Sequence, residues 1–409
     1  MDMLIFNIGA LVSPIGKTAK AGDAQGEVMT ISNAYIYIQD GVIVEIGQGK
    51  PDYKTQQEID AEGRLVTPGL VDAHTHLVFG GWREHELPLK LSGVPYLDIL
   101  AQGGGILSTV RATRKASQEE LQMKALAALK VMLAHGTTTC EAKSGYGLDM
   151  QTELKQLRTA KELNKLQPIS IVSTFMGAHA IPEEYQDRRD AYIQWLIQEM
   201  LPIVADKKLA NFCDVFCETG VFSANESKKI LCAAKSLGLG AKLHADEITS
   251  IGGSELAGEI SAISAEHLIA ATDEGIASLK KGNVIACLLP ATSFYLGKPY
   301  ARAADMIKAG VAVCVATDFN PGSCPSNNLQ LAMNLACWNY RLLPSQVLTA
   351  VTLNAAAAIG LSRETGTLEA GKRADVLIWN CDSLDYVFYR FGENLVKTVI
   401  KDGYIVAKN

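Results

Sequence analysis

Two histidines one residue apart, His74 and His76 in GLVDAHTH, have the clearest capacity for chemistry in this sequence. Side chains two apart on a strand share a face, so one cation can receive both imidazoles. Taken alone such a pair is weak, because two satisfied or surface histidines read the same. Other apolar runs end in the same way, however: Asp72 follows GLV, His179 ends FMGAH, His244 ends GAKLH, His267 ends SAEH and Asp318 ends VCVATD. Strands that only filled a core would carry Val, Ile or Leu there. His74, His76, His244 and Asp318 make a nitrogen-rich set with one carboxylate, suited to zinc or another divalent transition metal with a position left for water. Such an ion brings the pKa of bound water towards neutrality and polarises a carbonyl under attack. Glu247 in HADE and His267 are then the natural proton carriers. Without the metal set, Glu247 reads as a solvated loop charge and His267 as a hydrogen-bonded core histidine.

Residues so far apart meet only if an ordered set of strands brings them together. The middle of the chain alternates short apolar runs with longer amphipathic ones. Candidate strands are LVTPGLVDAH, GTTTCEAKSG, ISIVSTFMGAH, FCDVFCETG, GAKLHADE, SAISAEHL, NVIACLLPAT and VAVCVATDF. Between them lie stretches such as EELQMKALAALKVMLAHG, whose Gly136 sits where a helix ends. About eight strand-helix units fit a (β/α)₈ TIM-like barrel, in which the C-terminal strand ends share one rim. The alternative, a doubly wound open sheet, lacks a GxGxxG after its first strand.

At both ends the texture changes. Thr30 to Gly47 alternates around an Asp40-Gly41 turn, and residues 396 to 408 alternate around Asp402-Gly403, each the signal of a β-hairpin. This predicts a small β-sandwich built from residues 1–66 and 361–409, around a catalytic barrel of residues 67–360. The chain has 409 residues, enough for both, and 48% hydrophobic with 20% charged residues marks a globular protein. A net charge of -6 excludes the basic stripe that nucleic acid requires, leaving a small-molecule substrate as the expected partner. The opening MDMLIFNIGALVSP is too short to span a bilayer and carries Asp2 where a signal would be basic, so no membrane is expected and the location is read as cytoplasmic. Nine cysteines without CxxC spacing support neither disulfides nor a thiolate zinc site, and Cys213 and Cys217 read as core residues on one strand face. His85 and His135 read as non-ligands. The glycines 103 to 105 lack the P-loop tail and read as a flexible loop over the site mouth.

GLVDAHTH, the late VATDFNPG, TLNAAAAIGL and GTLEAGKRADVLIWN resemble the amidohydrolase superfamily across almost the whole chain. HTHLVFGGWRE, AQGGGILSTVRATR, EAKSGYGL, TFMGAHAIP, LHADE and TDFNPGS are similar to its imidazolonepropionase family. That resemblance implies one zinc or iron ion on His74, His76, His244 and Asp318. It implies substrate contacts from Arg83, Tyr146, His179, Glu247, Asn320, Gly322 and Ser323, with Ser323 standing where the family often has Thr. The implied reaction is hydrolysis of 4-imidazolone-5-propanoate to N-formimidoyl-L-glutamate, with catalytic roles for Glu247, His267 and Asp318 and the division of proton transfer left open. A bidentate grip by Arg83 on a propionate suits this physically. A deaminase of a cyclic amidine or purine is the alternative; it would use the same frame without a carboxylate clamp. A homodimer is compatible with the resemblance. Glu218 ends the candidate fourth strand where binuclear relatives bridge two metals, so either a second metal or a structural acceptor is open there. Lys143 lies on the wrong strand for a carboxylated lysine and reads as structural.

Overall fold

The computed structural model describes residues 2–49, 51–94 and 103–409. The terminal segments form β1 (Asp2–Ser13), β2 (Met29–Gln39), β3 (Val42–Gln48), β4 (Gln57–Asp60) and β5 (Leu65–Pro68), joined by β14 (Val376–Trp379), β15 (Val396–Lys401) and β16 (Tyr404–Lys408). They make one sheet in the order β16-β15-β14-β5-β1-β2-β3, with β4 also on β1. Both expected hairpins are present, and their Asp-Gly corners take the positive φ that such turns need: Asp40 49°, Gly41 81°, Asp402 50° and Gly403 76°. The sheet curls so that its edge strand β3 meets the chain just before β14, with Val42 bridging Arg373 and Ile43 N donating to Lys372 O. Inside the curl Met3, Ile5, Ile36, Ile38, Val376 and Ile400 form a closed apolar core.

Eight parallel strands, in sequence order, form the second sheet among the described residues. They are β6 (Leu70–Asp72), β7 (Thr137–Lys143), β8 (Ser170–Ala178), β9 (Phe212–Cys217), β10 (Gly240–Ala245), β11 (Ser264–His267), β12 (Ile285–Leu288) and β13 (Val313–Val315). Helices return between them, as in Gln118–Ala134, which starts on a capping box of Ser117 and Glu120. Gly136 follows that helix at φ 93°, and a Cβ on it would lie 2.8 Å from Leu377 of the terminal sheet, so a glycine is also what lets the two sheets pack. Cys213 and Cys217 are buried in the barrel's outer apolar core and touch no ligand set. No helix among the described residues is long and apolar enough to cross a membrane.

The barrel closes just beyond the ends of β6 and β13. Thr75 bridges Phe319, Asp318 N donates to His74 O at 3.0 Å, and His76 N donates to Phe319 O at 2.8 Å. Below these bonds the buried Asp72 carboxylate accepts Thr317 N at 3.0 Å and the Thr317 hydroxyl at 2.6 Å. Burial outweighs these bonds and pushes Asp72 up to about 7. Thr317→Val keeps the volume but strips a buried carboxylate oxygen of its hydroxyl, so chemical denaturation should show a loss of about 1–3 kcal/mol. Unchanged stability would mean that the seam does not depend on this bond.

Candidate functional site

Beyond Asp72 the chain keeps its alternation, so both His74 and His76 face inward, with ring centroids 5.4 Å apart. The His244 ring lies 4.6 Å from His74 and 5.5 Å from His76. Asp318 Oδ1 is 3.4 Å from His74 Nε2 and 3.7 Å from His76 Nε2. Donor atoms of His74, His76 and Asp318 fall within 4.8 Å of one another, as do those of His74, His244 and His267 and those of His74, Glu266 and Cys287, so three triads share His74. Nδ1 of His74 is bonded to Glu266 at 2.7 Å, and Nδ1 of His244 to Asp214 at 3.1 Å. Each bond fixes the tautomer that leaves Nε2 as the lone-pair nitrogen. Both Nε2 atoms are buried without a hydrogen-bond partner. A buried polar atom left unsatisfied costs about 1–3 kcal/mol, and a divalent cation is the partner that imidazole nitrogens beside a carboxylate would accept together.

At His74 and His76 the electrostatics agree with ligands in their metal-binding form. Burial, helped by the Lys143 charge at His74 and the His179 ring at His76, holds both histidines well below their ordinary pKa, so they are neutral. At His244 burial works against the cation but the Asp214 carboxylate outweighs it and the pKa is raised. Burial lifts Asp318 to about 6 although the Thr292 hydroxyl binds its Oδ2 at 2.6 Å. Asp318 and His267 both adopt left-handed backbone, φ 56° and 68°, which non-glycine residues rarely hold without cause. Glu247 lies just past β10 with Oε2 3.6 Å from His267 Nε2. Burial and then the Asp318 charge push Glu247 up to about 8.

Around this centre, the His179 ring stacks on His76 at 5.0 Å, and Tyr146 lies 5.2 Å from His179. His179 is held down to about 3 by burial and so is neutral; its Nδ1 lies 3.1 Å from Gly145 O, which makes Nδ1 the donor and Nε2 an acceptor. Arg83 lies directly against Gly322, where an added Cβ would fall 1.6 Å from Nη2. Glu86, itself buried, holds Arg83 at 3.5 Å and Lys90 at 3.2 Å, while Lys90 donates to Gly322 O at 3.0 Å. Asn320 is occupied within its own loop: Oδ1 accepts Gly322 N and Ser323 N at 2.8 and 2.7 Å, and Nδ2 donates to Asp318 O and Ser323 Oγ.

The Amidohydrolase family matches residues 65–406 of this chain. The chain belongs to that family. An imidazolonepropionase of Caldanaerobacter subterraneus subsp. tengcongensis is 50% identical over 400 residues, covering 98% of this chain and 96% of that protein. One of Treponema denticola is 54% identical over 379 residues, covering 91% and 92%. At the level of fold, a 5-methylcytosine deaminase of Klebsiella pneumoniae superposes with TM-score 0.77 at 18% identity, covering 100% of this chain and 98% of that one. An atrazine chlorohydrolase of Arthrobacter aurescens in complex with zinc gives TM-score 0.72 at 16% identity, covering 100% and 95%. Amidohydrolases are metal-dependent, and this member carries the histidine-rich centre that such chemistry needs.

Other residues of this amidohydrolase that the sequence singled out have structural surroundings of their own. Glu218 accepts Thr219 N at 2.8 Å and Ile248 N at 2.9 Å, together with the amide and hydroxyl of Thr249, so it is a structural acceptor tying down the chain after Glu247. Lys143 Nζ is pinned by Asp214 at 2.7 Å and Glu141 at 2.9 Å as a buried ammonium. Gly105 opens the helix Gly105–Lys115, its amide held by Glu86, so the third glycine is not loop; Ala101 and Gln102 before it lie outside the described residues. His85 is exposed, and His135 Nδ1 bonds Val131 O at a helix end. Asp214 and Glu266, which orient two histidines, were missed. A signal existed: a charged residue within an apolar strand, as in FCDVFC and SAEH, has to be paired.

The raised carboxylates make metal uptake a proton-releasing event. Glu247 holds its proton below about pH 8, and a cation nearby favours the carboxylate, so loading near pH 7 releases a proton that is already gone near pH 9.5. The raised His244 adds in the same direction. Calorimetry of Zn²⁺ uptake in buffers of different ionisation enthalpy should show greater release at the lower pH, and Glu247→Gln should shrink the difference. Equal release at both pH values in the wild type would refute the assignment.

Proposed function

We infer that this chain hydrolyses the cyclic amide C–N bond of 4-imidazolone-5-propanoate to N-formimidoyl-L-glutamate. The observation that carries this is full-length identity of about half to imidazolonepropionases. A guanidinium at the rim of the histidine centre is the feature that a carboxylate-tailed substrate requires and a deaminase substrate does not. His74, His76, His244 and Asp318 would hold one ion, zinc or iron. When bound it supplies Lewis acidity at the ring carbonyl and a water nucleophile near neutral pH.

The side chains then have separable tasks. Arg83 grips the propionate with two parallel hydrogen bonds, and Gly322 leaves the space in which that guanidinium lies. The neutral His179 can accept a ring N–H through Nε2, and Tyr146 beside it bounds the planar ring. Asn320 shapes the loop that carries Gly322 and Ser323, and the Ser323 hydroxyl, accepting from Asn320, keeps its own proton to donate. Water adds to the ring carbonyl, Glu247 takes its proton, the C–N bond breaks, and the proton passes to the departing nitrogen. His267, within reach of Glu247, shares that transfer or steadies the oxyanion.

The test sets Arg83→Met against a substrate analogue without the carboxylate. Wild type with the full substrate should lose about 2–5 kcal/mol of transition-state binding on the substitution, and the truncated analogue almost none. Gly322→Ala should mimic Arg83→Met by displacing the guanidinium while the metal stays bound. A coupling energy near zero between tail and arginine would exclude the clamp.

A second copy of the chain is the proposed partner. Phe294, Trp338, Tyr389 and Phe391 are 60, 65, 77 and 53% exposed on or beside the packed helices Pro290–Leu296, Leu329–Tyr340 and Leu384–Tyr389. Exposed aromatic groups on neighbouring helices favour an interface. Light scattering should report a dimer that Trp338→Glu shifts to monomer; a monomeric wild type would refute it.

A further inference from the structure

Beneath the histidines the barrel interior holds five charged side chains with no exposed area: Glu141 and Lys143 on β7, Asp214 on β9, Lys242 on β10 and Glu266 on β11. They form an unbroken run from one histidine to another. His244 Nδ1 meets Asp214 at 3.1 Å, Asp214 meets Lys143 at 2.7 Å, and Lys143 meets Glu141 at 2.9 Å. Glu141 meets Lys242 at 2.7 Å, Lys242 lies 3.8 Å from Glu266, and Glu266 meets His74 Nδ1 at 2.7 Å. The Thr174 hydroxyl also donates to Glu141.

Desolvating five ions is expensive, and a barrel needing only a core would fill this space with aliphatic side chains. We propose that Glu141 is a positioning residue for the metal centre. It touches neither histidine, yet among the described residues it is the carboxylate ion-paired to both lysines. Bridging Lys143 and Lys242 with one oxygen on each, it takes up part of each ammonium charge and so limits how hard each lysine pulls on its own carboxylate. Asp214 and Glu266 therefore stay available to accept Nδ1–H from His244 and His74, which presents both Nε2 lone pairs and raises their basicity. The charge balance serves the same end: three carboxylates against two ammonium groups leave one net negative charge below the cation, and neutralising Glu141 removes it.

This inference rests on the reading of His74 and His244 as ligands, and the experiment separates the two. Metal-free wild type, Glu141→Gln, Thr174→Val and His74→Ala are titrated with Zn²⁺ against a chromogenic chelator, and their Co²⁺ forms are compared by visible absorption. Glu141→Gln should bind Zn²⁺ about 10–100-fold more weakly and shift the Co²⁺ bands with its fold retained by circular dichroism. Thr174→Val, which removes one bond to Glu141 and keeps its charge, should weaken Zn²⁺ less in the same direction. A merely structural role would lower thermal stability without moving either metal readout. Wild-type affinity and spectrum in Glu141→Gln overturn the proposal, as does an unchanged Thr174→Val if Glu141→Gln does not fold. Wild-type metal binding by His74→Ala overturns the ligand reading instead.

Discussion

The hydrogen bond from Asp318 N to His74 O closes the barrel and assembles its centre in one step. First and last strands can join only where the chain leaves β6 and β13, and at that point the inward side chains are His74, His76 and Asp318. Closure and ligand geometry are therefore one constraint. Asp72 and Thr317, one layer lower, lock the same seam with a second pair of bonds. The left-handed backbone at Asp318 is part of this arrangement: the chain turns sharply after the seam, and Asn320 holds the turn by accepting two amides of the following loop.

Below the seam, burial decides the rest. A histidine buried without help is neutral but free to choose its tautomer, and Glu266 and Asp214 remove that choice. Those carboxylates are themselves buried and need cations, supplied by Lys242 and Lys143, and the lysines in turn share Glu141. Each charge in the barrel exists because the one above it would otherwise be unpaired. Above the seam the same logic runs outward in a wetter setting, where Glu86 holds Arg83 and Lys90 against the loop that carries Gly322.

Alternation and turn chemistry made the architecture legible in the residues. Asp-Gly corners between alternating runs marked the terminal hairpins, and eight apolar runs separated by helical stretches marked the barrel. Strand-end histidines marked the rim, because a core has no use for an imidazole at that place. The residues proposed as metal ligands and proton carriers stood out for the same reason, and resemblance extended the proposal to Arg83 and Tyr146, whose residue types in loops carry no signal of their own.

Sequence alone determined which residue types stand at the strand ends, and so the class of chemistry. Tertiary structure decided what each of them touches. Gly322 was legible as a place of close approach, but only packing shows that the group lying on it is Arg83. Glu218 left two readings open until the amides of Ile248 and Thr249 were found on its oxygens. Asp214, Glu266 and Glu141 lie within strands, where a lone charge in one run points to no partner. Apart from Lys143, which meets Glu141 within β7, the partners cited here come from 30 to 192 residues away, and only barrel closure sets those distances. Local pattern follows from short-range backbone geometry, whereas the pairing of buried charges is fixed by which strands become neighbours.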